Sequence, residues 1–178
     1  MDPMDVSFRP LRSDDLPLMH RWINTPHVRE WWEPLPTLAE VSARYAARIE
    51  SREPTRSFII ECDHEPIGYI QTYRIADYPA YATQVQPDPG AAGVDLFIGE
   101  ASRVGRGTGS RALREFVSSV VFADEAIDQC VIGPEPSNHR AIRSYRKAGF
   151  SYWKTIEVPG EHAPEYLMRV LRSDFIAR

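Results

Sequence analysis

GVDLFIGEASRVGRGTGSRALREFV, residues 93–117, decides how this chain is read. An apolar stretch, GVDLFIG at 93–99, has the look of a buried strand. It runs into Gly105, Gly107 and Gly109, and an amphipathic run with Leu113, Phe116, Val117 and Val120 follows at once. Glycine permits tight turns and leaves amide N–H groups uncovered. The first turn of the next helix adds unpaired N–H groups and a partial positive charge, so a diphosphate is a natural ligand. Arg103, Arg106 and Arg111 add cationic charge nearby. The plainer alternative is a glycine-rich turn with solvated arginines. No Gly-Lys-Ser/Thr closes the loop, which excludes a Walker motif, and no βαβ unit opens the chain, which excludes a Rossmann reading.

Outward from this loop the elements follow in order. VSFRPL at 6–11 reads as a strand, and Ser13 as the N-cap of a helix through LPLMHRWIN, with Asp14 and Asp15 in its first turn. Thr25-Pro26 ends it, and the aromatic segment HVREWWEPLP follows. Thr37 with Glu40 forms a capping-box pattern, and Val41, Tyr45 and Ile49 continue one helical stripe. Strands are expected at 57–62 and 66–75, a loop over 77–92, a strand at 93–99 and a helix near 107–122. A strand at 129–133, a helix at 138–148 and strands at about 152–158 and 165–171 complete the chain. Hairpin strands first and strand–helix units later predict an α/β (α+β) fold, a mixed and mostly antiparallel sheet with helices on both faces.

With 178 residues, 43% of them hydrophobic, the chain suffices for one core, and a single domain over 1–178 is expected. No apolar run approaches the roughly 20 residues of a membrane span, and MDPMDVSFRP lacks the pattern of a secretory leader. Cys62 and Cys130 stand apart and outside any metal-ligand spacing, so reduced thiols, no metal and a cytoplasmic setting are expected. The net charge of −4 disfavours nucleic acid and suits a small cationic partner.

About thirty residues after the glycine loop comes PSNHRAIRSYRKAGF, 136–150. Together the two segments resemble the acetyl-CoA-binding motifs of the GNAT superfamily, Q/R-x-x-G-x-G/A and N-x-x-A-x-x-x-Y-x-K-x-G-F. The second matches at Asn138, Ala141, Tyr145, Lys147, Gly149 and Phe150, whereas the first departs, with Ser102 in its leading place and Arg103 one residue later. The resemblance implies a GNAT fold with a splayed parallel strand pair, 93–99 and 129–133, that admits the pantetheine arm. It also implies acetyl-CoA as cosubstrate. Backbone amides of Val104, Gly105, Arg106, Gly107, Thr108, Gly109 and Ser110 would hold the diphosphate, beside Arg103. Further cofactor contacts would come from Phe97, Ile98, Asn138, Arg140, Ala141 and Tyr145. Tyr145 would protonate the departing thiolate, as a phenol near its ordinary pKa of about 10 can.

DDLPLMHRWINTPHVREWW, PTLAEVSARY and EPIGYIQTY, in this order before the motifs above, are similar to the bacterial aminoglycoside 6′-N-acetyltransferases. Some siderophore-pathway acyltransferases carry a similar aromatic front segment. The resemblance implies direct attack by the 6′-amine in a ternary complex, with no acetyl-enzyme, by a monomer or homodimer. Asp95, in the family's GVD context, would be the base that frees the amine lone pair. The plainer alternative for Asp95 is a carboxylate on an exposed sheet face, and for Tyr145 a ring packed in the core. Trp31 and Trp32, adjacent in an extended segment, would point opposite ways, one to the core and one to the acceptor cleft. Tyr69 and Gln71 share one strand face and border the cleft or simply pack in the sheet. Where related enzymes place an Asp before the PSPSN-like segment, this chain has Gly133; Glu135 would replace that charge if its loop turned inward, and Glu161 matches an acidic loop position. The rivals are a GNAT enzyme acting on a siderophore precursor, polyamine or protein amine, and a CoA-binding protein without catalysis.

Overall fold

The computed structural model describes residues 5–176; the first residues of the stretch searched for a leader, MDPM, lie outside them. Its strands are β1 (Val6–Pro10), β2 (Arg56–Cys62), β3 (Glu65–Arg74), β4 (Ala91–Ile98), β5 (Gln129–Ile132), β6 (Ser151–Ile156) and β7 (Glu165–Leu171). Its helices are α1 (Leu16–Ile23), α2 (Pro26–Arg29), α3 (Leu38–Ile49), α4 (Pro79–Val85), α5 (Thr108–Phe116), α6 (His139–Lys147) and α7 (Arg172–Ile176). The strands form one sheet in the order β1-β2-β3-β4-β5-β7-β6. β4 and β5 are parallel, and their register runs only from Ala91–Gln129 to Gly93–Val131 although β4 continues to Ile98. Antiparallel β1–β2, β5–β7 and β6–β7 pairings complete the mixed sheet that the strand pattern predicts.

Contacts divide the chain into two compact units, residues 1–71 with 96–112 and residues 72–95 with 113–178. The first is built on an aromatic core. Trp22, Tyr45 and Tyr69 are almost fully buried with Met19, Ile23 and Val41. The capping box forms as read: Glu40 N–H donates to Thr37 Oγ1 at 3.2 Å and Thr37 N–H to Glu40 Oε2 at 2.8 Å. Ser13 is not an N-cap; it opens a 3-10 turn, Ser13–Asp15, ahead of α1. The turn is held instead by Asp15, which accepts from Arg12 N–H at 2.9 Å and from both Arg9 guanidinium nitrogens at 2.7 and 2.8 Å. Burial alone would raise the Asp15 carboxyl, but Arg9 and the Arg12 amide hold it below the usual carboxylate range.

The second unit departs from the sequence reading at 77–92. A 3-10 turn, Ile75–Asp77, leads into α4, and β4 starts at Ala91. Pro79 does not break this helix, because at the first helical position its missing N–H costs nothing. Val85 closes the helix against a small core with Ile75, Ala91, Val131 and Leu167, and Tyr73 and Tyr81 pack on it. After α5 the chain continues as a π-helical stretch, Val117–Val121.

Candidate active site

In the first unit the glycine loop follows a 3-10 turn, Ala101–Arg103, and ends where α5 begins at Thr108. Gly105 and Gly107 have φ of +78° and +82°, a backbone that L side chains rarely adopt. Around both, the place of a Cβ is open space, so their backbone faces outward without cover. Thr108 is buried, and its hydroxyl has no hydrogen-bond partner among the described residues. An exposed pair of left-handed glycines, the N-terminus of α5 and the buried Thr108 hydroxyl fit a diphosphate. Arg106 is exposed, and Arg103 and Arg111 are half-exposed.

The Phe97 ring is buried among Trp22, Trp32 and Tyr69, and the Ile98 carbonyl is bonded to His27 Nε2 at 2.9 Å. Trp31 and Trp32 do not lie in an extended segment. Both N–H groups bond the Val28 carbonyl, at 3.0 and 2.9 Å, so the pair forms a turn after α2. The Trp32 ring packs edge-on against Phe97 and Tyr69, with centroids 5.0 and 6.0 Å away, which makes it the core member. Trp31 is half-buried, and its indole N–H is buried without a partner among the described residues. Tyr69 is fully buried; its hydroxyl donates to Gln71 Oε1 and meets Ser57 Oγ, both at 2.7 Å. Arg48 donates a second bond to Gln71 Oε1, also at 2.7 Å. Tyr69 and Gln71 thus belong to one polar network within the sheet.

In the second unit Asp95, half-buried on β4, is the charge that its neighbours feel. Burial first, and Asp95 second, push the phenols of Tyr73 and Tyr145 above their ordinary values. Tyr145 therefore does not sit near the ordinary phenol pKa that the motif suggested; it keeps its proton more firmly, as an acid that releases it only to a strong base must. Asn138 caps α6, its Oδ1 accepting from Ala141 N–H at 3.1 Å, so its side-chain NH2 is what remains to bond a pantetheine carbonyl. Arg140 is exposed and Ala141 half-exposed.

Glu165 went unread in the sequence. At the start of β7 it accepts from the Tyr81 hydroxyl at 2.7 Å. Burial, then the charges of Asp95 and Glu161, outweigh that bond and push its carboxyl up to about 7. A Cβ at residue 133 would stand 2.5 Å from Glu165 Oε2, so Gly133 is the room this carboxylate needs. Glu135 instead lies beside the exposed His162, 3.7 Å away, and Glu161 is exposed on the turn through Gly160. Nothing in the pattern VPGEHAPEYLM separates Glu165 from Glu161; the partner that marks it, Tyr81, lies on the helix read as loop.

Among the described residues no helix is long and apolar enough to cross a membrane, and no group of three His, Cys, Asp or Glu is placed to hold a metal ion.

Residues 12–158 match the acetyltransferase (GNAT) domain family, and the chain belongs to that family of acetyl-CoA-dependent acetyltransferases. Within it the chain is closely related to the aminoglycoside 6′-N-acetyltransferases. It is 35% identical over 157 residues to aminoglycoside N(6′)-acetyltransferase type 1 of Klebsiella pneumoniae, covering 86% of this chain and 78% of that protein. It superposes on aminoglycoside acetyltransferase AAC(6′)-Ib, solved with coenzyme A and kanamycin, with a TM-score of 0.87 at 33% identity over 97% and 98% of the two chains. A more distant relative is the spermidine N(1)-acetyltransferase of Escherichia coli K12, 28% identical over 82% of this chain and 73% of that protein.

Proposed function

We propose that this chain, as a single catalytic domain, acetylates the 6′-amino group of aminoglycosides. Acetyl-CoA supplies an activated acyl group as a thioester. The amine nitrogen forms the new C–N bond, Asp95 takes the proton that the amine gives up, and the C–S bond breaks as the Tyr145 phenol protonates the sulfur. The observation that carries this reading is the buried Tyr145 phenol in the acetyl-CoA motif, whose proton burial and the charge of Asp95 hold in place until a strong base forms. The amides of the Gly105–Gly109 loop would grip the diphosphate, and the Asn138 amide the pantetheine arm. Trp31, whose indole N–H lacks a partner among the described residues, is the aromatic residue suited to the acceptor sugar. Both cysteines are free and buried, which suits a reducing, cytoplasmic setting.

The test is a CoA-release assay over a panel of amines, with the mass and acetylated position of each product determined. Kanamycin and tobramycin should turn over at the 6′-amine, well ahead of spermidine and simple amines. Turnover of spermidine without any 6′-amino aminoglycoside would overturn the acceptor. Binding of CoA without turnover of any amine would overturn the enzyme.

A further inference from the structure

Glu165 opens β7, and its carboxylate is held at a definite place. The Tyr81 hydroxyl donates to Oε2 at 2.7 Å. The next residue, Tyr166, donates its N–H to the Pro134 carbonyl at 2.8 Å, which ties the start of β7 to the segment after β5. A Cβ at residue 133 would stand 2.5 Å from Glu165 Oε2 and 3.0 Å from Leu167 Cδ2. The carboxylate therefore fills the room that a side chain at 133 would take.

Asp95 belongs to the same face of the sheet. β4 and β5 are last paired at Gly93 and Val131, and Asp95 and Gly133 each follow two residues later. Alternate residues of a strand share a face. The side-chain place of Gly133 meets Leu167, which packs with Val131, and that of Gly93 meets the Tyr73 ring, which packs on the same small core. Tyr81 lies beside Tyr73, with ring centroids 6.5 Å apart. Asp95 and the Glu165 carboxylate thus share one face where β4 and β5 part. Among the described residues the carboxylate has one hydrogen bond, from Tyr81, and no ion pair with Lys, Arg or His. Burial and nearby negative charge push it up to about 7, a tension that an arriving cation relieves. The amine that attacks beside Asp95 must be neutral, but the other amines of a polycationic acceptor stay charged. A charge-assisted hydrogen bond to one of them fixes orientation as well as affinity.

We propose that Glu165, held by Tyr81 in the side-chain place of residue 133, binds a second ammonium group of the acceptor and favours acceptors that carry one at a fixed distance from the reacting amine. Tyr81 is a positioning residue in this scheme and acts through Glu165. The inference deepens the acceptor reading above and rests on it.

The test follows kanamycin at pH 8, where the carboxylate is ionised, with the full-length protein. Steady-state kinetics at saturating acetyl-CoA give KM and kcat, and calorimetry in the presence of CoA gives Kd. Glu165→Gln should raise KM and Kd about 10- to 100-fold, with kcat moving less than either. Tyr81→Phe should raise them about threefold, and add nothing in a Glu165→Gln background, because the hydroxyl serves only that carboxylate. A further pair of variants moves the acid. Glu165→Ala empties the place, and Gly133→Asp added to it should recover most of the lost affinity, which a purely structural Glu165 would not allow. Unchanged acetyl-CoA affinity shows that each variant is folded. If the wild type acetylates kanamycin and Glu165→Gln leaves KM and Kd unmoved, the inference falls and the acceptor reading stands. The inference also falls if the folded Glu165→Ala, Gly133→Asp double variant recovers nothing. If the wild type neither binds nor acetylates kanamycin, the acceptor reading falls and takes the inference with it.

Discussion

Tyr69 and Tyr145 are both tyrosines whose phenols burial pushes upward, yet their settings are opposites. Around Tyr69 every polar atom answers another. Ser57, Tyr69, Gln71 and Arg48 are joined in a chain of bonds of 2.7 Å, and Tyr45, Trp32 and Phe97 pack around the Tyr69 ring. Around Tyr145 the dominant influence after burial is the charge of Asp95, and Glu165 feels the same charge. The first arrangement is satisfied and rigid; the second is crowded with like charge and gains from an incoming cation. Polar groups placed for stability are paired within the protein, and those placed for chemistry are left in tension.

That contrast can be broken by substitution. The largest effect should come from Asp95→Asn, which removes the proton acceptor: kcat/KM for the acceptor should fall about 10³-fold while calorimetry finds acetyl-CoA affinity unchanged. Retained activity would return Asp95 to a structural role. Tyr145→Phe keeps the ring and removes the proton, so kcat should drop about 10²-fold with little change in urea stability. Tyr69→Phe should behave in reverse. It removes the hydroxyl that meets Ser57 and one of the two donors to Gln71 Oε1, costing about 1–3 kcal/mol in urea unfolding, and the folded variant should keep its kcat within a few-fold.

The smallest effect sharpens the comparison through pH. The folded-state value of Glu165 lies above that of an exposed glutamate, so the folded protein holds more protons than the unfolded one between about 4.5 and about 7. Stability from this group is greatest below that window and is lost as pH rises through it. Because the residue is half-exposed, the contribution is about 1 kcal/mol rather than the full shift. Glu165→Gln should therefore stabilise the protein by about that much at pH 8 and leave it unchanged at pH 4, as thermal melts at the two values would record.

Much of the architecture is legible in the residues because local signals agree with the packing they serve. Thr37 and Glu40 cap α3 from within their own segment, and the glycines before α5 need no distant partner to demand their backbone angles. Other features depend on partners far along the chain. Asp15 looks like a first-turn acid, but Arg9 bends it back to hold the turn. The segment with Trp31 and Trp32 looks extended because prolines flank it, whereas Val28 curls it into a turn. Glu165 and Tyr81 are 84 residues apart and meet only once α4 has formed, so no spacing rule could join them.

Gly133 also constrains how such a site can change by mutation. A side chain at 133 meets the far end of the flexible Glu165 side chain, so the carboxylate can swing away only by giving up the position in which the Tyr81 hydroxyl holds it. A charge gained at the residue after β5 would therefore come at the expense of the anchored one on β7, and the two positions share a single place for an acid.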